Sequence, residues 1–416
     1  MKYNANAFTA LALALLLFCF PAFSGLAESP TDVLLEVHWE ETTENGPAGS
    51  FVSYPALIGG ESSEAQALAE KINGYMLETA QIPAYLQLLS TLSAGGTGLK
   101  MDYDTSVLYG SDDYAPYVSL VFSAKGKMLA GRPSQVYYPM TLNLKTGEPV
   151  AFEDLFTDPE GAKAFMVAYL AEEVEPTLST YLENNQLFPV PYDRFFLDGN
   201  GNLILYYENS QLSFLSGDSG AVAFRYSELW DWLDTSAGGI PMQVLWHPEK
   251  YLPMYAPDEW NFAEKNDEWM NNHSLYGLGA EIYVGMPLED VLRKYTAAAD
   301  SDYYPGGACY ELEHAALRGT LILTDGGETA VTGVLTSRVD HFGINTGKTT
   351  LAEAETLLGT APSGKLTVDE ATAAAYRVCP GTVSIYTGAD MNGRKLSFTL
   401  YADENGVVQY IKLALE

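Results

Sequence analysis

Residues 142–156 read LNLKTGEPVAFEDLF, and this stretch decides the fold of the first half of the chain. Residues 137–144 are predicted to form a strand, and Lys145-Thr146-Gly147 is the turn that ends it. Residues 152–156 close the segment. Asp158-Pro159-Glu160 then predicts the start of a helix that runs to about residue 173, because proline and acidic side chains are favoured in a first helical turn. A strand, a turn and a helix in this order indicate an α+β arrangement.

The residues before this stretch predict a hairpin and two helices. Residues 33–41 alternate apolar and polar side chains as a half-buried strand does, Asn45-Gly46 is a turn dipeptide, and residues 51–57 read as the returning strand. Ser63 and Gln66 form a capping box before apolar residues at helical spacing, which predicts a helix over residues 63–79. Pro83 begins a second helix that is predicted to reach about residue 92.

The strands on either side of this stretch complete the block. Residues 117–123 alternate cleanly and are predicted to pair with residues 137–144. Residues 195–197 and 203–207 predict a hairpin around a Gly-rich turn, and residues 224–232 close the block. We therefore predict an α+β domain over residues 31–235 that mixes helices with an antiparallel sheet.

Several short segments of this block occur in an order that is shared with known domains. The strongest piece joins residues 142–148 with 154–156, and the other pieces are Tyr54-Pro55, Ile72-Asn73 and residues 117–122, 195–197, 203–207 and 224–229. In this order they resemble the extracellular domain of RsiV-type anti-sigma factors, which are lysozyme receptors. They also resemble the module that precedes the catalytic domain of the peptidoglycan deacetylase PdaC. These domains form the domain-of-unknown-function families 3298 and 4163, and the resemblance implies a cell-envelope protein with a partner such as lysozyme.

Two departures limit what this resemblance implies. The families often carry a Gly-Ala-His stretch between the central strands, where this chain has Ala-Gly-Arg-Pro-Ser at residues 130–134. The sequence also lacks a cytoplasmic sigma-binding segment, a transmembrane helix and the Asp-His-His metal set of a deacetylase. We therefore expect neither the anti-sigma layout nor deacetylase chemistry.

The N-terminus predicts export. Lys2 precedes an apolar segment over residues 10–23, and Gly25-Leu26-Ala27 supplies small residues before a cleavage site, so residues 1–27 are expected to be a signal peptide. An uncleaved anchor is the alternative, although the segment is shorter than the roughly 20 residues that a spanning helix needs. Leu17-Phe18 precedes Cys19 where a lipobox has small residues, so lipidation is not expected. The prediction is a secreted or cell-surface bacterial protein.

Residues 236–279 are interpreted as an aromatic-rich connector. The segment begins with Ala237-Gly238-Gly239, which is a linker signal. Five of the six Trp residues lie between residues 230 and 269. One interpretation is an aromatic platform that stacks on sugar rings or grips a partner, and the other is a segment that packs between the flanking domains.

Residues 280–416 predict a domain of two small α+β repeats. Residues 282–292 align with residues 344–354, which places Gly285 opposite Gly347, and each copy continues into a short helix and β-hairpins. The pattern resembles the helix-plus-sheet unit of the beta-lactamase-inhibitor-protein-like superfamily. Cys309 lies in the first copy and Cys379 in the second. An exported protein allows a disulfide between them, and two unpaired buried thiols are the alternative.

The charge of the chain limits the partners that it can take. The sequence has 22 Lys and Arg against 54 Asp and Glu, for a formal net charge of −32, so nucleic-acid binding is not expected. Hydrophobic residues make up 47% and aromatic residues 12%, which is enough to bury cores and argues against disorder. The acidic charge favours a basic partner, but it also serves to keep an exported protein soluble.

Few residues suggest chemistry. The five His residues lie in neither a His-Glu-x-x-His nor a Cys-x-x-Cys context. Cys309 with His314 could form a thiol and base, and Ser219 lies in a Gly-Asp-Ser-Gly sequence that trypsin-type proteases share, but neither has the other required elements. Residues 198–202 alternate oxygen ligands as a calcium loop does, but Asn209 stands where an EF-hand needs Glu, so a plain turn is the alternative. We assign no catalytic, cofactor-binding or metal-binding residue.

These observations favour a non-enzymatic binding protein of the bacterial cell envelope. The expected ligand is a protein such as lysozyme or another wall hydrolase, or the wall polymer. The competing hypothesis is a glycan-binding or glycan-modifying enzyme that uses a carboxylate pair as acid and base. That enzyme needs a cleft with two carboxyl groups, one of them with a raised pKa, whereas a binding protein needs an exposed aromatic or acidic patch.

Overall fold

A computed structural model describes residues 38–92, 98–105, 116–127, 133–171, 190–207, 220–236, 238–245, 275, 282–295, 297, 302–312, 314–341, 343–390 and 392–416. The predicted signal peptide lies outside these residues, as does most of the predicted connector. The described residues form helices and several sheets, which confirms the α+β class. None of the helices in this part of the chain is both long enough and apolar enough to cross a membrane.

The first sheet has six strands in chain order, and only the β2–β3 pair is parallel. Its strands are β1 His38–Asn45, β2 Phe51–Ile58, β3 Leu99–Thr105, β4 Tyr117–Lys127, β5 Pro133–Asn143 and β6 Glu148–Pro149. The predicted β1–β2 hairpin and the predicted pairing of β4 with β5 are both confirmed. β3 has no counterpart among the predicted strands.

Two helices, α1 Ser63–Thr79 and α2 Ile82–Thr91, cover this sheet. Both were predicted, but the N-cap of α1 is Ser62, whose Oγ accepts a hydrogen bond from the Ala65 N–H at 3.1 Å. Asn73 lies on α1 and bonds the backbone of β2 twice. Its Oδ1 accepts from Leu57 N–H and its Nδ2 donates to Leu57 C=O, each at 2.8 Å. This amide therefore fixes the helix against the strand.

A second, smaller sheet packs against the first. Its strands are β7 Phe195–Leu197, β8 Asn202–Tyr206 and β9 Ala221–Arg225, and all of their residues are buried. One face packs against helix α3 Pro159–Tyr169, and the other contacts Val121 and Tyr137 of the first sheet. The predicted hairpin is confirmed. The closing segment, residues 224–232, holds the end of β9 and then a short helix, α4 Tyr226–Leu229. Another short helix, α5 Ile240–Gln243, comes later.

The C-terminal part is built on one antiparallel sheet of eight strands, in the order β10-β11-β12-β13-β19-β18-β17-β16. The elements are α6 Leu288–Lys294, β10 Asp302–Tyr304, β11 Gly307–Glu311, β12 Thr320–Thr324, β13 Val331–Thr336, β14 Asp340–His341, β15 Ile344–Asn345, α7 Leu351–Leu358, β16 Gly364–Val368, α8 Glu370–Tyr376, β17 Gly381–Ala389, β18 Lys395–Ala402 and β19 Val408–Leu415. β14 and β15 form a separate ladder. Helices α6 and α7 contribute to the main core of this region, and α8 packs over another cluster.

The two halves of this sheet are alike in detail. Each half has a helix before four antiparallel strands, and in the second half α8 is inserted between β16 and β17. The last strands, β13 and β19, pair antiparallel at the centre. Both halves carry a register shift near the end of their third strand, at Thr324 and at Ala402. A glycine approaches that position in each half. A Cβ added to Gly307 would lie 1.9 Å from Thr324 C=O, and one added to Gly381 would lie 2.1 Å from Ala402 C=O.

The two cysteines are free thiols, so the structure does not contain the predicted disulfide. Both belong to the same cluster beneath α8, but their surroundings differ. Cys309 lies on β11 opposite Asp302, whereas Cys379 lies in the segment between α8 and β17 and packs near Tyr410. Burial raises the pKa of each thiol, which disfavours the reactive thiolate.

A buried ionic network joins the small sheet to the eight-stranded sheet. Glu228 of α4 contacts Arg225 at 3.0 Å and Arg338 at 3.2 Å, and all three side chains are at most 15% exposed. Arg225 also donates to Thr346 Oγ1 at 2.9 Å, and Arg338 donates to Ala223 C=O at 2.9 Å. Burial alone would raise the pKa of Glu228, but Arg225 and Arg338 hold it below its ordinary value.

Candidate functional site

The first two strands of the six-stranded sheet and the two helices that cover it contain few positively charged residues. Residues 38–92, which form β1, β2, α1 and α2, contain seven Glu and one Lys and no Asp or Arg. All seven carboxylates are exposed. The members of this group, which we term the acidic face, are Glu40, Glu41, Glu44, Glu61, Glu64, Glu70 and Glu78.

The acidic face has little internal compensation. Its single cation, Lys71, binds Glu148 of β6 at 2.6 Å and the C=O of Thr146 at 2.7 Å. Glu41 accepts a hydrogen bond from Ser53, and Glu40 lies 3.4 Å from His38. Within the described part of the chain, the other five carboxylates have no hydrogen-bond or ion-pair partner: Glu44, Glu61, Glu64, Glu70 and Glu78. They are therefore available to a partner without the loss of an internal bond.

Carboxyl groups elsewhere are used to build the fold. Seven carboxyl groups of the described residues have a lowered pKa: Glu153, Glu228, Asp302, Glu353, Asp369, Asp390 and Asp403. The backbone N–H of Tyr303 and the guanidinium of Arg377, for example, lower the pKa of Asp302. A general acid needs a raised pKa, so none of these seven groups suits the acid role of a carboxylate-pair enzyme.

Beside the acidic face lies a cleft of about 280 Å³. It opens between the C-terminal end of α1, strands β5 and β6, and the segment that leads into β7. Its buried lining is formed by Tyr138, Pro139, Met140 and Thr141. Its accessible lining includes Tyr75, which is 38% exposed, together with Thr79, Asp193 and Arg194.

Several polar groups at the edge of this cleft can still form hydrogen bonds with a ligand. The Tyr75 and Thr79 hydroxyls and the Asp193 carboxylate have no hydrogen-bond partner among the residues that the structure describes. Arg194 is held in place by two carbonyls. Its Nη2 donates to Tyr137 C=O at 2.6 Å and its Nε donates to Tyr206 C=O at 3.0 Å. Its Nη1 has no acceptor within the described ranges.

The calcium-loop alternative for residues 198–202 is not supported by the geometry. Asp198 is buried, and its Oδ1 accepts hydrogen bonds from the N–H groups of Asn200 and Asn202 at 2.8 and 3.0 Å. Its Oδ2 accepts from Asn202 Nδ2 at 2.7 Å. Asp325, Asp390 and Asp403 accept backbone N–H bonds in the same way in other turns. The Asp198 carboxylate therefore stabilises a turn through hydrogen bonds. Among the described residues, no group of three metal-binding side chains occurs.

The other sequence candidates are not brought together into a site. His314 packs edge-on against Tyr295 at 5.4 Å, while Cys309 lies in a different cluster, so the thiol-and-base pair is not formed. Ser219 lies outside the described residues, and so does the aromatic connector from Trp246 to Trp269. Trp232 is described, and it stacks on Phe165 of α3 at 5.0 Å, which is a packing role.

The comparisons with known proteins find solved structures of low similarity. No family model matches the sequence, and no curated protein matches it. Among solved structures, a DUF3298 family protein from Bacteroides fragilis matches with 12% identity and a TM-score of 0.30, over 50% of this chain and 96% of that protein. A DUF3298 family protein from Pseudomonas aeruginosa matches with 13% identity and a TM-score of 0.31, over 48% of this chain and 95% of that protein.

DUF3298 is one of the two families that segments of the sequence resemble. The similarity to RsiV and to PdaC rests on those sequence segments alone. Similarity at this level leaves the function to be argued from the residues of the chain itself.

Proposed function

We propose that this chain is an exported binding protein of the bacterial cell envelope and that its acidic face receives a cationic protein such as lysozyme or another wall hydrolase. The observation that carries the proposal is the set of five exposed carboxylates that no described residue neutralises, within residues 38–92, which hold a single Lys and no Arg. The sequence resemblance to lysozyme-receptor domains supports the same class of partner.

The physical role of such a face is to attract and orient a basic protein. Charges of one sign on one surface raise the rate of encounter with an opposite charge and disfavour partners of the same charge. Each exposed pair is worth little, because water weakens its attraction and ordering the two side chains costs entropy. Salt also screens charges that lie more than about 8 Å apart at physiological ionic strength. A specific complex must therefore combine the charge with contact area, and its affinity must survive physiological salt.

The test is calorimetric titration of the exported form with lysozyme, at low and at physiological salt. The first variant changes five carboxylates of the acidic face to amides: Glu44→Gln, Glu61→Gln, Glu64→Gln, Glu70→Gln and Glu78→Gln. A matched control makes the same number of changes at exposed sites of the C-terminal part: Glu289→Gln, Glu311→Gln, Glu370→Gln, Glu404→Gln and Glu416→Gln. Both variants have the same net charge.

We expect wild type to bind at physiological salt, the acidic-face variant to lose at least tenfold in affinity, and the control to stay close to wild type. Equal losses in both variants would mean that total charge, rather than this face, attracts the partner. Absence of binding by wild type at both salt concentrations would overturn lysozyme as the partner.

A further inference from the structure

The cleft beside the acidic face has the features of a small-ligand site. Binding sites combine an apolar, buried surface with a few polar groups that point to the same space. Here Tyr138 and Met140 supply the buried surface, Tyr75 and Asp193 supply polar groups that no described residue engages, and Arg194 supplies the one guanidinium nitrogen, Nη1, that its two backbone bonds leave over. The volume of about 280 Å³ lies near the lower limit for ligand sites, which suits a single ring and part of its neighbour.

Two of the residues that line the cleft, Arg194 and Tyr138, are held in place by hydrogen bonds. Two carbonyls from different sheets, Tyr137 of β5 and Tyr206 of β8, hold the Arg194 guanidinium at the seam between them. The Tyr138 hydroxyl is bonded to the Tyr85 hydroxyl of α2 at 2.9 Å, which fixes the ring that lies in the cleft. A ligand therefore meets a preformed guanidinium, whereas the exposed Tyr75 and Asp193 side chains are ordered on binding.

The charges in the cleft select a neutral ligand. Asp193 and Arg194 are adjacent in the chain and of opposite charge, so together they add no net charge to the lining. An anion would meet the neighbouring acidic face. A ligand that both donates and accepts hydrogen bonds would satisfy the Asp193 carboxylate and the Arg194 guanidinium together, and neighbouring hydroxyl groups on a ring do so.

The exposed tyrosine completes this chemistry. Tyr75 is 38% exposed, and it presents an apolar ring with a polar hydroxyl at its tip. Such a ring can pack against the C–H face of a sugar while its hydroxyl bonds to the substituents. We propose that this cleft binds a pyranose unit of a neutral glycan, with Tyr75 against the ring and Asp193 and Arg194 bonded to its hydroxyls. The inference is independent of the proposed protein partner.

The test uses saturation-transfer NMR and calorimetry on the exported form, with the tetrasaccharides of β-1,4-linked N-acetylglucosamine and of β-1,4-linked glucose as probes. Alanyl-alanine serves as a zwitterionic comparison, because it could also satisfy a carboxylate and a guanidinium. Two variants remove cleft groups, Tyr75→Ala and Asp193→Ala. Tyr303→Ala is the control, because that side chain is 87% exposed on β10.

We expect at least one tetrasaccharide to bind with a millimolar or tighter dissociation constant. Tyr75→Ala and Asp193→Ala should each weaken it at least tenfold, while Tyr303→Ala leaves it unchanged. Circular dichroism of the two cleft variants separates loss of binding from loss of folding. Binding of the dipeptide without either saccharide, or saccharide binding that the cleft variants do not alter, would overturn the inference. The acidic-face variant should retain saccharide binding, so this proposal and the proposed protein partner can fail separately.

Discussion

The acidic face and the eight-stranded sheet use the same kind of side chain for different purposes. Residues 38–92 have seven acidic side chains and one basic one, whereas residues 282–416 have seventeen and ten. Several carboxylates of the C-terminal part bond to cations or to turn amides, as Asp302 does with Arg377 and Asp403 with the Asn405 N–H, although exposed ones such as Glu289 have no described partner. On the acidic face, five carboxylates bond to no described residue. Carboxylates that a fold does not need are the ones that remain available for a partner.

The largest expected effect comes from removing a carboxylate that the fold does need. Glu228→Gln leaves Arg225 and Arg338 buried without their counter-charge, and breaking such a buried network costs about 3–5 kcal/mol. We expect urea unfolding to show a loss of this size. Glu70→Gln on the acidic face is the comparison, and an exposed substitution should change the free energy of unfolding by no more than about 0.5 kcal/mol. Similar values for the two variants would remove the distinction between the regions.

The second prediction asks whether the two halves of the sheet respond alike. Gly307→Ala and Gly381→Ala each place a Cβ against a carbonyl, at 1.9 and 2.1 Å, so the backbone must shift. We expect each to cost about 2 kcal/mol or more in thermal or urea unfolding. Gly326→Ala is the control, since its added Cβ would meet open space. If only one of the two glycines is sensitive, the halves differ in energy, and Gly381 already differs from Gly307 in its positive φ of 143°.

The third prediction follows from the lowered pKa of Glu228. A carboxyl group whose pKa is lower in the folded state stabilises the fold above its unfolded pKa, near 4.3, and loses that effect as pH falls through the folded value. The difference in melting temperature between wild type and Glu228→Gln should therefore be largest above about pH 5 and should narrow as the solution is acidified below about pH 4. A gap that stays constant with pH would show that the charge of Glu228 does not stabilise the junction.

The sequence predicted the elements whose signals are local. Helix α1 begins and ends at the predicted residues, 63 and 79, because a cap and regular apolar spacing define it. The β1–β2 and β7–β8 hairpins were predictable from their turns. β16, with the sequence Gly-Lys-Leu-Thr-Val, is mostly exposed and alternates over only four residues, so it was missed. The same holds for α8, which buries only Ala373.

The features that join distant segments were not predictable from local patterns. The parallel pairing of β2 with β3 and the central pairing of β13 with β19 depend on tertiary contacts. The Glu228–Arg338 bond spans 110 positions, and the cleft needs α1, β5 and the segment before β7 to meet. The acidic face did have a sequence signal. Counting charged residues segment by segment, rather than over the whole chain, shows that residues 38–92 contain seven acidic residues and one basic residue.

The smallest expected effect is also the one that defines the acidic face. The variant with Glu44, Glu61, Glu64, Glu70 and Glu78 changed to Gln removes five charges that repel one another and that support no internal bond. Its free energy of unfolding should match wild type within about 0.5 kcal/mol per site, or exceed it, and raising the salt concentration should reduce any gain. Urea unfolding at two salt concentrations measures this. A large loss of stability would mean that these carboxylates stabilise the fold, as several of those in the eight-stranded sheet do. The acidic face would then be explained by folding and would no longer support a binding role.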